Sequence, residues 1–151
     1  MILFSEILDP SCAATGISVG DKDSALVAAA DLLMKGGKIP DRARLLEEIR
    51  ARERLSSTGI GEGVAVPHAL CDDIPNTVMA VIHLTRPVDF GALDGGPVDL
   101  IFMMAGPRGA TANHLKILSK LARLLHDNQF RTAARNAKDG AELARLLFEK
   151  D

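Results

Sequence analysis

Strand-length apolar runs alternate along this chain with amphipathic helical stretches, and that alternation restricts the fold more than any other feature. Residues 77–85 and 98–105 are two such runs, rich in Val, Ile, Leu and Met. Upstream, Asp21 or Asp23 can cap an Ala- and Leu-rich helix that runs to about Lys35 and stops at Gly36-Gly37. Pro40 suits the first turn of a second helix, which carries Leu45, Leu46 and Ile49 inward and ends near Arg54. Downstream, 111–126 is strongly amphipathic and 140–149 forms a last helix. Residues 4–9 read as a short helix, 13–19 as a short first strand, and Val64-Ala65-Val66 as another strand, closed by Pro67-His68. Arg86-Pro87 and Gly95-Gly96-Pro97 are loop chemistry. No repeat, low-complexity tract or linker interrupts the pattern. The expected fold is α/β: a single-domain sandwich over residues 1–151, with a mixed, mostly parallel sheet of about five strands and helices on both faces.

Composition excludes several functions. Lys plus Arg number 18 against 20 Asp plus Glu, and the net charge of −2 argues against non-specific nucleic-acid binding. Aromatic residues are 3%, with five Phe and neither Trp nor Tyr, too few for a base-stacking platform. Two cysteines, Cys12 and Cys71, are too few for a disulfide scaffold or a cysteine-based zinc site. The longest apolar run, Val98 to Gly106, is interrupted by Asp99 and is far too short to span a membrane. Met1-Ile-Leu-Phe-Ser-Glu has no basic region and does not read as a signal peptide. A cytoplasmic protein with reduced thiols, no nucleic-acid partner and no direct membrane insertion is expected.

Four histidines are then the scarce chemical resource. His83 lies in the strand 77–85 on the face it shares with Met79 and Val81, and the plain reading is a sheet histidine satisfied by a neighbour. His126 closes a helix, where a cation suits the negative end of the dipole. His114 sits in the first turn of the helix 111–126. Leu118, Leu121 and Leu125 continue its stripe, so the ring faces inward and needs a polar partner. On local pattern, a satisfied histidine at the core edge and a functional one are both open. His68 follows a proline at a strand end, where ligands usually meet an α/β sheet, although turn histidines are also common.

Gly59-Ile60-Gly61-Glu62-Gly63 superficially suggests a nucleotide loop. A dinucleotide fingerprint follows a strand and opens a helix; here the order is helix, glycines, strand, and no Gly-Lys-Ser/Thr ending is present. The plainer reading is a flexible crossing from helix to strand. Even so, Gly59 and Gly61 let backbone N–H groups approach an anion, and Ser57 and Thr58 add donors. Arg52 and Arg54 are nearby cations, in positions where most arginines are merely solvated.

The segment Glu53-Arg-Leu-Ser-Ser-Thr-Gly-Ile-Gly-Glu-Gly-Val-Ala-Val-Pro-His68-Ala69 resembles the phosphorylation-site signature of fructose/mannitol-type enzyme IIA of the bacterial phosphotransferase system. Matching positions are Glu53, Ile60, Gly61, Val64, Ala65, Val66, Pro67, His68 and Ala69, the last standing where many members have glycine. Arg52, Pro97-Val-Asp-Leu-Ile-Phe102 and Asn113-His114-Leu115 extend the resemblance over nearly the whole chain. The family's mixed sheet between helices agrees with the pattern above.

The resemblance implies that His68 is phosphorylated, on Nε2, by an HPr-like phosphocarrier protein. It implies that His114 is the second histidine beside it and that Arg52 lies near the phosphoryl group; Arg54, Ser57 and Thr58 are added as phosphate support on proximity alone. A neutral imidazole can attack phosphorus without a separate base, and the resemblance implies that no cofactor or metal is needed, because the donor is another protein's phosphohistidine. The wording of 57–63 and 97–102 looks most like the nitrogen-regulatory branch, a switch whose phosphorylation decides which proteins it binds. The alternative is a sugar-transport member that passes its phosphate to a cysteine on a IIB protein. From 151 residues a single free-standing domain, without a fused IIB or membrane domain, is expected.

Overall fold

The computed structural model describes residues 2–151; Met1, the first residue of the expected domain, lies outside the described residues. In chain order the elements are α1 (Phe4–Ile7), β1 (Leu8–Ile17), α2 (Lys22–Met34), α3 (Arg42–Leu55), β2 (Gly59–Gly61), β3 (Val64–Ala65), β4 (His68–Cys71), β5 (Val78–Val88), β6 (Val98–Pro107), α4 (Thr111–Leu125), α5 (Asn128–Asn136) and α6 (Gly140–Phe148). A short 3-10 turn, Arg108–Ala110, joins β6 to α4.

The six strands form one sheet in the order β1-β5-β6-β3-β2, with β4 also pairing β6. The β1–β5, β3–β6 and β4–β6 pairs are parallel; β5–β6 and β2–β3 are antiparallel. Strand β6 explains the apolar run that follows Asp99 in the sequence. Leu100 through Gly106 are all buried, because helices cover the sheet on both sides and leave no wet face for polar residues. Each large side chain in that run contributes about 1.5–3 kcal/mol by leaving water. On one side α2 packs against β1 and β5 and pairs with α3; another group is built from α6, which packs on β1 and β5 and touches α1 and α5.

Capping sets the helix starts. Asp21, not Asp23, caps α2, its carboxylate accepting from the Ser24 N–H at 2.8 Å. Asp41 accepts from the Arg44 N–H and starts α3 one residue beyond Pro40. The first strand is longer than 13–19 suggests: β1 begins at Leu8, and Asp9-Pro10-Ser11 falls in a shifted register between Leu8 and Ala13. β1 is an edge strand, where a proline costs no ladder bond on its outer side. The sheet has six strands rather than five because Gly59–Gly61, which reads as loop, pairs with β3, and His68–Cys71 continues along β6 after the Pro67 break. Helix α5 carries too few apolar residues to register as periodic; Phe130 and Ala134 anchor it, and Asp127 caps it. Gly140 opens α6 so close to β1 that any Cβ there would strike the Ala13 carbonyl.

Candidate functional site

Three elements converge on His68. The strand β4 runs parallel to β6 with His68 opposite Met104, and the Met104 N–H donates to the Pro67 carbonyl at 2.9 Å. Helix α3 delivers Glu48, Ala51, Arg52 and Leu55 to one side, and α4 delivers Thr111, His114, Leu115 and Leu118 to the other. Together with Leu70 and Arg108 they line an open cavity of about 490 Å³ around the His68 ring.

The His68 ring is pinned and half-buried. Its Nδ1–H donates to the Val66 carbonyl at 2.8 Å. That bond selects the tautomer with the proton on Nδ1 and leaves the Nε2 lone pair free. Burial lowers the His68 pKa from 6.5; it outweighs the Val66 bond, which raises it, while the charge of Arg52 lowers it further and that of Glu53 raises it. The ring is therefore neutral near pH 7, as a nucleophile requires.

His114 stands beside it, with ring centroids 5.4 Å apart and planes tilted by 54°. It is 4% exposed, yet neither ring nitrogen has a hydrogen-bond partner among the described residues. Burial pushes its pKa down to about 4, with the charge of His68 acting in the same direction. An unpaired buried polar group costs about 1–3 kcal/mol, so a ring left this way is stabilised by any ligand that supplies its missing partner. Being neutral, it offers one N–H donor to an anion.

Arg52 faces the cavity from the last turn of α3, where its Nη1 donates to the Ser56 carbonyl at 2.8 Å. The other residues named from the glycine segment do not line this cavity. Ser57 Oγ donates to the Phe90 carbonyl at 2.7 Å, and Thr58 gives its N–H and hydroxyl to the Glu53 carboxylate. Gly59 packs against Ala92 with no space for a Cβ, and Gly61, at φ +98, lies beside Asp94. Arg54 opens onto a separate cavity of about 420 Å³ with Lys22 and Arg50. Ser57, Thr58, Gly59 and Gly61 thus belong to the hairpin and its packing.

The remaining histidines are placed as their sequence positions suggest. His83 Nε2 donates to Asp99 Oδ2 at 3.2 Å, and Asp99 is held in turn by Arg135. His126 caps the C-terminal end of α4. An apolar rim around His68 is what a docking donor requires; sequence reasoning did not identify the leucines that form it, nor Arg108. Leu55 and Leu115 look like ordinary stripe leucines but are 83% and 59% exposed at the cavity mouth. Arg108 is held at the rim by Asp72, at 2.9 Å, and by Glu48, at 3.5 Å; the Pro107-Arg108-Gly109 turn ahead of α4 was its only signal. Among the described residues no group of His, Cys, Asp and Glu is arranged to hold a metal, and no helix is long and apolar enough to cross a membrane.

Comparison with known proteins adds a family to this geometry. Residues 6–150 match the model for the phosphoenolpyruvate-dependent sugar phosphotransferase system, EIIA 2. A nitrogen regulatory protein of Pseudomonas aeruginosa is 36% identical over 149 residues, covering 99% of this chain and 97% of that protein. The fructose-specific EIIABC component of Bacillus subtilis is 34% identical over 147 residues, which is 97% of this chain but 23% of that protein. The crystal structure of nitrogen regulatory protein IIA-Ntr from Neisseria meningitidis superposes with a TM-score of 0.85 at 35% identity, covering 94% of this chain and 97% of that one.

Proposed function

The chain belongs to the EIIA 2 family of the phosphoenolpyruvate-dependent sugar phosphotransferase system, and from that premise we propose that His68 Nε2 is its phosphoryl acceptor and that an HPr-like carrier protein is the donor. The observation that carries this reading is the pairing of two unlike histidines. The His68 ring has its proton fixed on the Val66 carbonyl, and the neighbouring His114 ring is buried without a partner.

The step balances without an added base or cofactor. The Nε2 lone pair of His68 forms a bond to phosphorus as the bond from phosphorus to the carrier's imidazole breaks. The electron pair of that bond returns to the carrier ring, and no net proton moves. Transfer of this kind has a loose, in-line transition state and depends on positioning and charge stabilisation. Arg52 supplies the cation and His114 an N–H donor for the phosphoryl oxygens. The exposed Leu55 and Leu115 give a carrier an apolar surface to cover, and covering it excludes the water that would hydrolyse the product.

Downstream, the reading is a regulatory switch whose phosphorylation state decides which proteins it binds. Similarity along almost the whole length of a nitrogen regulatory protein supports that branch. The second reading is transfer to a IIB cysteine for sugar uptake, supported by the comparable identity to one part of a fructose EIIABC component. Incubation with phosphoenolpyruvate, the first enzyme of the system and each type of carrier separates them. Faster labelling by a nitrogen-branch carrier, with no onward transfer to a sugar IIB, is expected. Preference for the general sugar carrier with transfer to IIB would overturn the regulatory reading.

A further inference from the structure

The Glu53 carboxylate is buried, with its side chain 4% exposed, and nothing in the transfer step above uses it. Its partners are specific. Lys22 Nζ lies 2.9 Å from Oε2, the Thr58 N–H donates to Oε2 at 3.2 Å, and the Thr58 hydroxyl donates to Oε1. The Thr58 carbonyl accepts from the Val66 N–H at 3.0 Å, and the Val66 carbonyl accepts from His68 Nδ1 at 2.8 Å. An unbroken line of contacts thus runs from Lys22 through Glu53, Thr58 and Val66 to the imidazole.

Thr58 and Val66 flank the open end of the β2–β3 hairpin, whose register pairs Gly59 with Ala65. The chain leaves that end as Val66-Pro67-His68. Pro67 has no N–H and cannot anchor itself as a donor; its carbonyl is tied to Met104. The Val66 carbonyl is therefore positioned from two sides, by β6 and by Thr58. Only the Thr58 side depends on a buried charge. On α3, Glu53 follows Arg52 directly, so one helical turn carries both the cation facing the cavity and the clamp on the hairpin.

We propose that Glu53, with Lys22 as its counter-ion, is a positioning residue for His68. By fixing Thr58 it fixes the Val66 carbonyl, which keeps the proton on Nδ1 and the Nε2 lone pair directed at the donor. This rests on His68 being the acceptor. A carboxylate suits the place because it accepts from three donors at once. A glutamine there loses the charge that pairs with Lys22, and it keeps its oxygen on Lys22 and the Thr58 N–H only by turning its N–H₂ group to the Thr58 hydroxyl, which must then reverse from donor to acceptor.

The test compares wild type with Glu53→Gln, Thr58→Val and the double variant Lys22→Met/Glu53→Gln, which leaves no unpaired buried charge. Each is checked for fold by thermal melting. The readouts are the His68 tautomer, from ring ¹⁵N shifts, and the rate of labelling by phosphorylated carrier. Wild type is expected to show a single Nδ1–H tautomer. The folded variants are expected to show a mixture, with labelling slower by about 10- to 100-fold, the scale of a catalytic group misplaced by about 1 Å. A folded variant with an unchanged tautomer and rate overturns the positioning role. Failure of wild type to take label on His68 overturns instead the reading on which it rests.

Discussion

Two histidine environments in this molecule invite comparison. His83 lies on β5 with its Nε2 on Asp99, and Asp99 is braced by Arg135. His114 is more deeply buried, at 4% exposure, and both its nitrogens lack a partner in the chain. Folding ordinarily satisfies polar groups that it buries. The satisfied histidine is explained by the fold, whereas the unsatisfied one points to something that arrives. The distance of 5.4 Å to the His68 ring says where.

Substitutions at the two places break or sharpen that contrast. Replacing His114 by Ala is expected to slow phosphoryl transfer by about 100- to 1,000-fold, the usual cost of removing one donor to developing charge. A loss of melting temperature with an unchanged transfer rate would make His114 a core residue like any other. Arg52→Gln is expected to slow transfer by about 10- to 100-fold with the melting temperature unchanged, because Arg52 is only half-buried and its one hydrogen bond is to the Ser56 carbonyl.

Acid titration probes the same contrast through stability. The folded-state pKa of His114 is about 4 against an ordinary 6.5, so the unfolded chain takes the proton first. Stability is therefore present above pH 6.5 and falls as pH drops from 6.5 toward 4, by about 3 kcal/mol from this ring. His68, also lowered by burial, adds in the same direction. Urea titrations across that window are expected to show a shallower slope for His114→Gln than for wild type. The smallest effect belongs to His83→Gln: labelling within about twofold of wild type, with roughly 1 kcal/mol lost from the Asp99 bond. A large transfer defect there would remove the contrast altogether.

The alternation of strand runs and amphipathic helices was enough to read the α/β layering and to place strands over 77–85 and 98–105. Burial on both faces leaves its mark on every residue of 100–105, whereas Asp99 at the strand's start is half-buried and pairs with His83 and Arg135. The short pieces escaped for a physical reason. Two-to-four-residue strands such as β2 and β4 carry no periodicity, and only pairing with β3 and β6 makes them strands. Of the expected site residues, His68, from the spaced signature, and Arg52 and His114, from the landmarks that extend the resemblance, line one cavity. The glycine-segment donors looked available only because sequence cannot show that Ser57 and Thr58 are already bonded to Phe90 and Glu53. Which leucines form the rim was hidden for the opposite reason: a leucine on a helical stripe reads as buried until the end of the helix is located.

The most direct measurement is the location of the phosphoryl group after incubation with phosphoenolpyruvate, the first enzyme of the system and carrier, read by mass mapping and ³¹P–¹⁵N correlation, with His68→Ala as control. Acid-labile phosphate on Nε2 of His68, absent from His114, His83 and His126 and lost in the His68→Ala variant, is the predicted result. Label on His114, or label that persists without His68, would contradict the account.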